Sequence, residues 1–315
     1  MASHLKSFFG LWATTFKEWN EDRASRLSAA LAYYTIFSIS PVLIIALAIA
    51  GQFFDQNAIR DQLIGQIGSL IGVQGADMIK TMLQNASRPT DTSIASIFGI
   101  ILLFLGASSV FGELQSALNT IWEVAPKPNR GIWNTIQTRF LSFTMVVVVG
   151  FLLLVSLVVS TILSFLNTSL ANTTQAVPFF VQFLDTTASL LVITFIFALI
   201  FKFVPDVQVG WRDVWLGAIV TALLFTIGKF AIGLYLGSSS VISTYGAAGS
   251  LVIILLWVYY STQILFLGAE FTQVYACRYG SRVPTAREAV PLSEKTRVQH
   301  GIPHSEKVQA KQKNS

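Results

Sequence analysis

"GSLVIILLWVYYSTQILFLGAEFTQVYA", Gly249–Ala276, decides the fold. Its only charged residue is Glu270, and nothing in it breaks a helix. At about 1.5 Å per residue it is roughly 42 Å long, more than the ~30 Å hydrocarbon core of a bilayer. So long and apolar a segment predicts a membrane-crossing helix. Five further runs read the same way, which gives an all-α polytopic membrane protein with six transmembrane helices. The expected spans are 27–54, 93–111, 140–166, 179–204, 214–236 and 249–276.

Composition agrees. Only 12% of the 315 residues are charged, about half the usual soluble fraction, and 53% are hydrophobic. Cys277 is the single cysteine, so disulfides within the chain are excluded. His4, His300 and His304 are the only histidines, and all lie near the termini. No metal and no cofactor is expected, because the internal sequence lacks ligand spacing.

Outside the spans, residues 1–26 form a cytosolic segment. Leu5, Phe8, Phe9, Trp12, Phe16 and Trp19 recur at helical spacing within it. They predict an amphipathic helix, lying either in the membrane interface or on the protein's own surface. The 55–92 segment predicts two more amphipathic helices, joined by "GVQG" (Gly72–Gly75).

Orientation follows from the basic residues. Counting Lys202 at the cytosolic end of its span, 17 Lys and Arg fall on the side of the termini and three on the other; Lys229 lies deeper within a span. Both termini are therefore expected in the cytosol. The tail, 281–315, is basic and is expected to be disordered near anionic headgroups. No aromatic follows Tyr279, so nucleic acid is not an expected partner. Membrane lipids are, and self-association into a homo-oligomer is left open.

Ionisable groups inside spans are functional candidates by default. Asp185 and Lys229 lie at matching depth with opposite charge, and are expected to pair or to share a polar cavity. Glu270 falls near the cytosolic end of its span. The stretch "SSVFGELQSALNTIWEV" (Ser108–Val124) continues the second span as a two-faced helix. Gln115 and Asn119 share one side with Glu113 at its edge, while Leu114, Leu118 and Ile121 lie opposite. Glu113 and Glu270 are thus expected at one mouth, where Arg23, Arg26 or Arg139 could clasp them. Pro41 should kink the first span near Phe37–Ser40, beside Tyr33. Glu113, Gln115, Asn119, Glu270, Tyr33, Asp185 and Lys229 are the candidates for a polar path or gate. Gly233 and Gly237 form a GxxxG expected to mark close helix packing.

Three stretches together carry a resemblance: "AALAYYTIFSISPVLI" (Ala29–Ile44), "LQSALNTIW" (Leu114–Trp122) and "YGAAGSLVIILLWVYYSTQILFLGAE" (Tyr245–Glu270). The chain resembles the YihY/virulence-factor BrkB family of bacterial inner-membrane proteins over roughly residues 10–280. The resemblance implies a multi-pass protein of the plasma membrane. That family once carried a ribonuclease BN label, and these residues argue against a nuclease: internal His and paired acidic motifs are absent. An enzyme is not expected, because no nucleophile–base pair is apparent. The expected function is a transporter or lipid-moving protein of the cell envelope. The alternative is a non-transporting membrane scaffold or envelope-assembly partner.

Overall fold

A computed structural model describes residues 2–52, 55–86, 108–126, 176–238, 248–280 and 289–291. The helices in chain order are α1 (Ala2–Glu21), α2 (Ala24–Ala50), α3 (Gln56–Ile71), α4 (Val73–Ala86), α5 (108–121), α6 (Ala176–Phe203), α7 (Trp211–Ser238) and α8 (Gly249–Tyr279). Two short strands, β1 (Val124–Pro126) and β2 (Ala289–Pro291), complete the described elements.

Among the described residues, four stretches are long and apolar enough to cross a membrane: Ala24–Ala48, Gln182–Phe203, Trp211–Tyr235 and Gly249–Tyr279. They lie where the first, fourth, fifth and sixth expected spans lie. Apart from 108–111, which is helical, the expected spans over 93–111 and 140–166 lie outside the described residues. Helix is the physical outcome for such sequences, because hydrocarbon offers no hydrogen-bond partners and a helix satisfies its own backbone. α2 continues as helix through Pro41. Its buried Ser38 crosses to α5, with Oγ 2.9 Å from Ser109 Oγ.

The tightest packing joins α7 to α8. A Cβ added at Gly217 would fall on Thr272, and one at Gly268 would fall on Thr221. The contact is reciprocal, so the two helices run antiparallel. Each threonine also turns its hydroxyl back on its own helix. Thr221 Oγ1 donates to Gly217 O at 2.7 Å, and Thr272 Oγ1 donates to Gly268 O at 2.6 Å. The hydroxyls are thereby satisfied without a partner across the seam, and the missing glycine side chains let the backbones close. Gly228 extends the seam against Ile264 and Tyr260. The expected GxxxG does not pack at this seam: Gly233 is exposed, and a Cβ there would meet none of the described residues within 4 Å, while the surroundings of Gly237 lie outside the described residues.

The largest core draws on α2, α5, α6, α7 and α8, with Leu118, Ile121, Phe201, Val214 and Phe266 among its fully buried members. α1 lies on the protein's own surface. Its Leu11 is buried with Phe271 and Val274 of α8, and the Trp12 and Phe271 rings are 5.1 Å apart. α1 and α2 meet at a sharp corner where Arg23 takes the left-handed conformation, with φ 51°.

The 55–92 segment is helical over 56–71 and 73–86. The Asp55 carboxylate caps α3 by accepting from the backbone N–H groups of Asn57 and Ala58. The break before α4 is the single residue Gly72, whose φ of 83° suits only glycine. Ile59, Ile71, Ile79 and Leu83 turn inward to a second core shared with α2 and α8.

β1 and β2 pair antiparallel, with Val124 opposite Pro291 and Pro126 opposite Ala289. Prolines at diagonal corners each lack a donor, which keeps the ladder short. The tail was expected to be disordered, yet these three of its residues are a strand.

Candidate functional site

α5 folds as its two-sided pattern demands. Leu114, Ala117, Leu118 and Ile121 are buried, and Glu113 and Gln115 are half-buried. The helix ends at Glu123, which has a left-handed φ of 53°.

The polar side of α5 has a partner that sequence reasoning missed. Asp206 lies in the turn between α6 and α7. Asn119 Nδ2 donates to its Oδ2 at 2.9 Å, and Gln115 Nε2 donates to its Oδ1 at 3.3 Å. The Asp206 N–H in turn donates to Asn119 Oδ1 at 2.8 Å. One amide thus grips both the side chain and the backbone of the turn. Lys202 fixes the other side of this turn: its Nζ donates to Val209 O at 2.6 Å and sits 5.5 Å from the Trp211 ring centre. The available signal was an aspartate directly after Pro205, in a short turn between two spans, with two amides four residues apart on another helix.

Glu113 makes no ion pair among the described residues. It lies two residues past the expected second span, and burial pushes its carboxyl above its usual range. Glu113 therefore forms no clasp to Arg23 or Arg26, and Arg139 lies outside the described residues.

Glu270 is 1% exposed. Gln263, Glu270 and Gln273 fall within an arc of about 80° on α8, by the helical period. That arc lies between Val274, which packs on α1, and Thr262, whose hydroxyl reaches Ser28 O of α2 at 3.4 Å. The acid therefore faces the α1–α2 corner. Trp19 of α1 and Trp122 beyond α5 belong to the same packed core as Phe266 and Ala269 of α8.

The remaining candidates lie apart. Tyr33 is 59% exposed on the outer side of α2, stacked edge-on against Phe37. Lys229 is half-buried on α7 and forms no ion pair among the described residues, so the expected pair with Asp185 is not made. Asp185 is half-buried on α6 and engages other groups. Among the described residues no three His, Cys, Asp or Glu side chains come together as metal ligands.

Several long apolar helices, sealed by small residues and holding a carboxyl in their interior, define a multi-pass membrane protein. The virulence factor BrkB family model matches residues 15–293, and the chain belongs to that family. The match runs past α8 and includes β2, further than the resemblance over 10–280. Among relatives, a UPF0761 membrane protein of Verminephrobacter eiseniae is 28% identical over 83% of this chain and 62% of its own length. Another, of Alteromonas mediterranea, is 29% identical over 86% of this chain and 88% of its own. A third, of Xanthomonas oryzae pv. oryzae, is 27% identical over 86% of this chain and 63% of its own. The chain thus spans under two thirds of the first and third relatives and most of the second. No solved structure matches.

Proposed function

We propose that the chain is a transporter of the bacterial inner membrane that moves a polar or lipid-like solute, and that Glu270 serves this movement. The observation that supports it is the position of Glu270. A carboxyl 1% exposed on a helix built to cross a bilayer is costly to place there, with whatever partners it has, and is a functional candidate by default. Its neighbours on the same arc are amides, Gln263 and Gln273, rather than the close glycine–threonine contacts of the opposite seam. No bond-making step is part of this reading. Both termini face the cytosol on it, because 17 basic residues lie on their side and three on the other. Lipids are the constant partners, and the basic tail lies near anionic headgroups.

The test is reconstitution of the full chain in liposomes, with a panel of ions and fluorescent lipids presented on one side. Flux of at least one panel member in the wild type, and its loss in a folded Glu270→Gln variant, is the expected result. A well-folded protein that moves none of them, but captures a defined envelope protein on pull-down, would replace transport with the scaffold reading.

A further inference from the structure

The interior around Glu270 contains buried polar atoms of two opposite kinds. Gln263 Oε1, Gln273 Oε1 and Ser28 Oγ are buried acceptors without a hydrogen-bond partner among the described residues. Trp19 Nε1 and Trp122 Nε1 are buried donors in the same condition. Gln273 is 4% exposed and Ser28 fully buried, so bulk solvent does not serve them. Each such group is costly to leave without a partner.

The mixture selects the ligand. A bare metal cation would satisfy only the acceptors, and an anion only the donors. Water does both, with about three bonds per buried molecule. Turning either glutamine amide exchanges an orphaned oxygen for an orphaned N–H and leaves the conclusion intact. The placement selects the role. Gln273 lies one turn beyond Glu270, and Gln263 two turns before it, on the same arc of α8.

We propose that this arc is an internal hydrated path, and that Glu270 exchanges a proton with the water in it. In the exchange, hydronium gives its proton to the Glu270 carboxylate and becomes water; the reverse step restores both. The proton is then the ion bound at this site, which deepens the transport reading and rests on it only for the claim of movement. The charged groups that neighbouring elements bring to this end are Glu18 and Asp22 of α1 and its corner, Arg23 and Arg26 leading into α2, Glu113 of α5, and Arg212 and Asp213 of α7. Arg278 lies on α8 itself.

The experiment is difference infrared spectroscopy of the full chain in nanodiscs, titrated in pH and repeated in D2O. A protonated-carboxyl stretch that titrates, shifts promptly in D2O and is lost in Glu270→Gln is the expected result. Gln273→Leu, which removes one water anchor and keeps the acid, should retain the band and slow its deuterium exchange. A carboxyl that never titrates, or one that titrates but does not exchange with D2O, overturns the proposal. Liposomes loaded with a pH-sensitive dye separate the two claims. A titrating, exchanging Glu270 without proton flux supports the hydrated site and sinks proton movement through it, while the solute panel alone decides the transport reading. Solute flux with a silent Glu270 sinks the hydrated site alone.

Discussion

Replacing Gly268 by alanine tests the α7–α8 seam directly. The new methyl would lie 2.8 Å from Thr221 Cβ and Cγ2, and nearer still to its hydroxyl. Carbon atoms prefer about 3.5–4.0 Å, so the helices must part by on the order of 1 Å. Overpacking of this kind costs about 1–3 kcal/mol. Alanine returns about 0.5–1 kcal/mol of helix propensity, which does not offset the clash. Gly217→Ala meets Thr272 in the same way and should cost a similar amount. The double variant should cost less than the sum, because parting the helices for one methyl makes room for the other. Gly233→Ala is the control on the same helix. With nothing within 4 Å it should gain the propensity term and lose nothing. Thermal unfolding in detergent, followed by tryptophan fluorescence, ranks the four variants against the wild type. If Gly233→Ala melts below the wild type while Gly268→Ala melts at or above it, the seam has been placed wrongly.

Three other outcomes are expected. Asn119→Leu removes both grips on Asp206 and leaves a half-buried carboxylate, a loss of roughly 2–3 kcal/mol from charge-assisted bonds that the same melting assay reads. Burial raises the folded-state value of Glu113 above its unfolded 4.5, so folding penalises the ionised form. Stability at this position is present at low pH and is lost as pH rises through the raised value. Glu113→Gln should thus match the wild type in acid and exceed it at neutral pH, and a variant less stable at neutral pH would restore the clasp. Truncation after Gly280 deletes β2, so amide exchange at Val124 and Ala125 should accelerate while that of the α7–α8 seam does not change.

The crossing helices were legible because bilayer length and hydropathy leave few alternatives. α6, α7 and α8 begin and end within about three residues of the runs that predict them. Which side of each helix turns inward was not legible. A helix apolar all round gives no moment, so Gly233 and Gly237 looked as fit to pack as Gly217 and Gly268. A threonine four residues after each glycine, Thr221 and Thr272, marks the real pair in the sequence, but that each threonine meets the other helix's glycine is a tertiary fact. α5 was the opposite case: its two-sided pattern gave its buried face directly. Its partner Asp206 is 87 residues distant, and no local rule links them. Lys229 and Asp185 matched in depth and sign, but depth fixes only one coordinate, and it does not by itself make the direct pair, which is not formed.

The docking of α1 on α8 sets an order of assembly. Trp12 rests on Phe271, far along the sequence, and β1 waits in the same way for β2. Neither contact can form until its later partner has been made. Until then the inner side of α1, with Leu11, Trp12 and Trp19, needs a provisional home, and the headgroup layer beside it accommodates such a side readily. Contacts between segments so distant in sequence are also slow to form, because closing the intervening loop comes first. The end of the bundle that carries Glu270 is accordingly completed late.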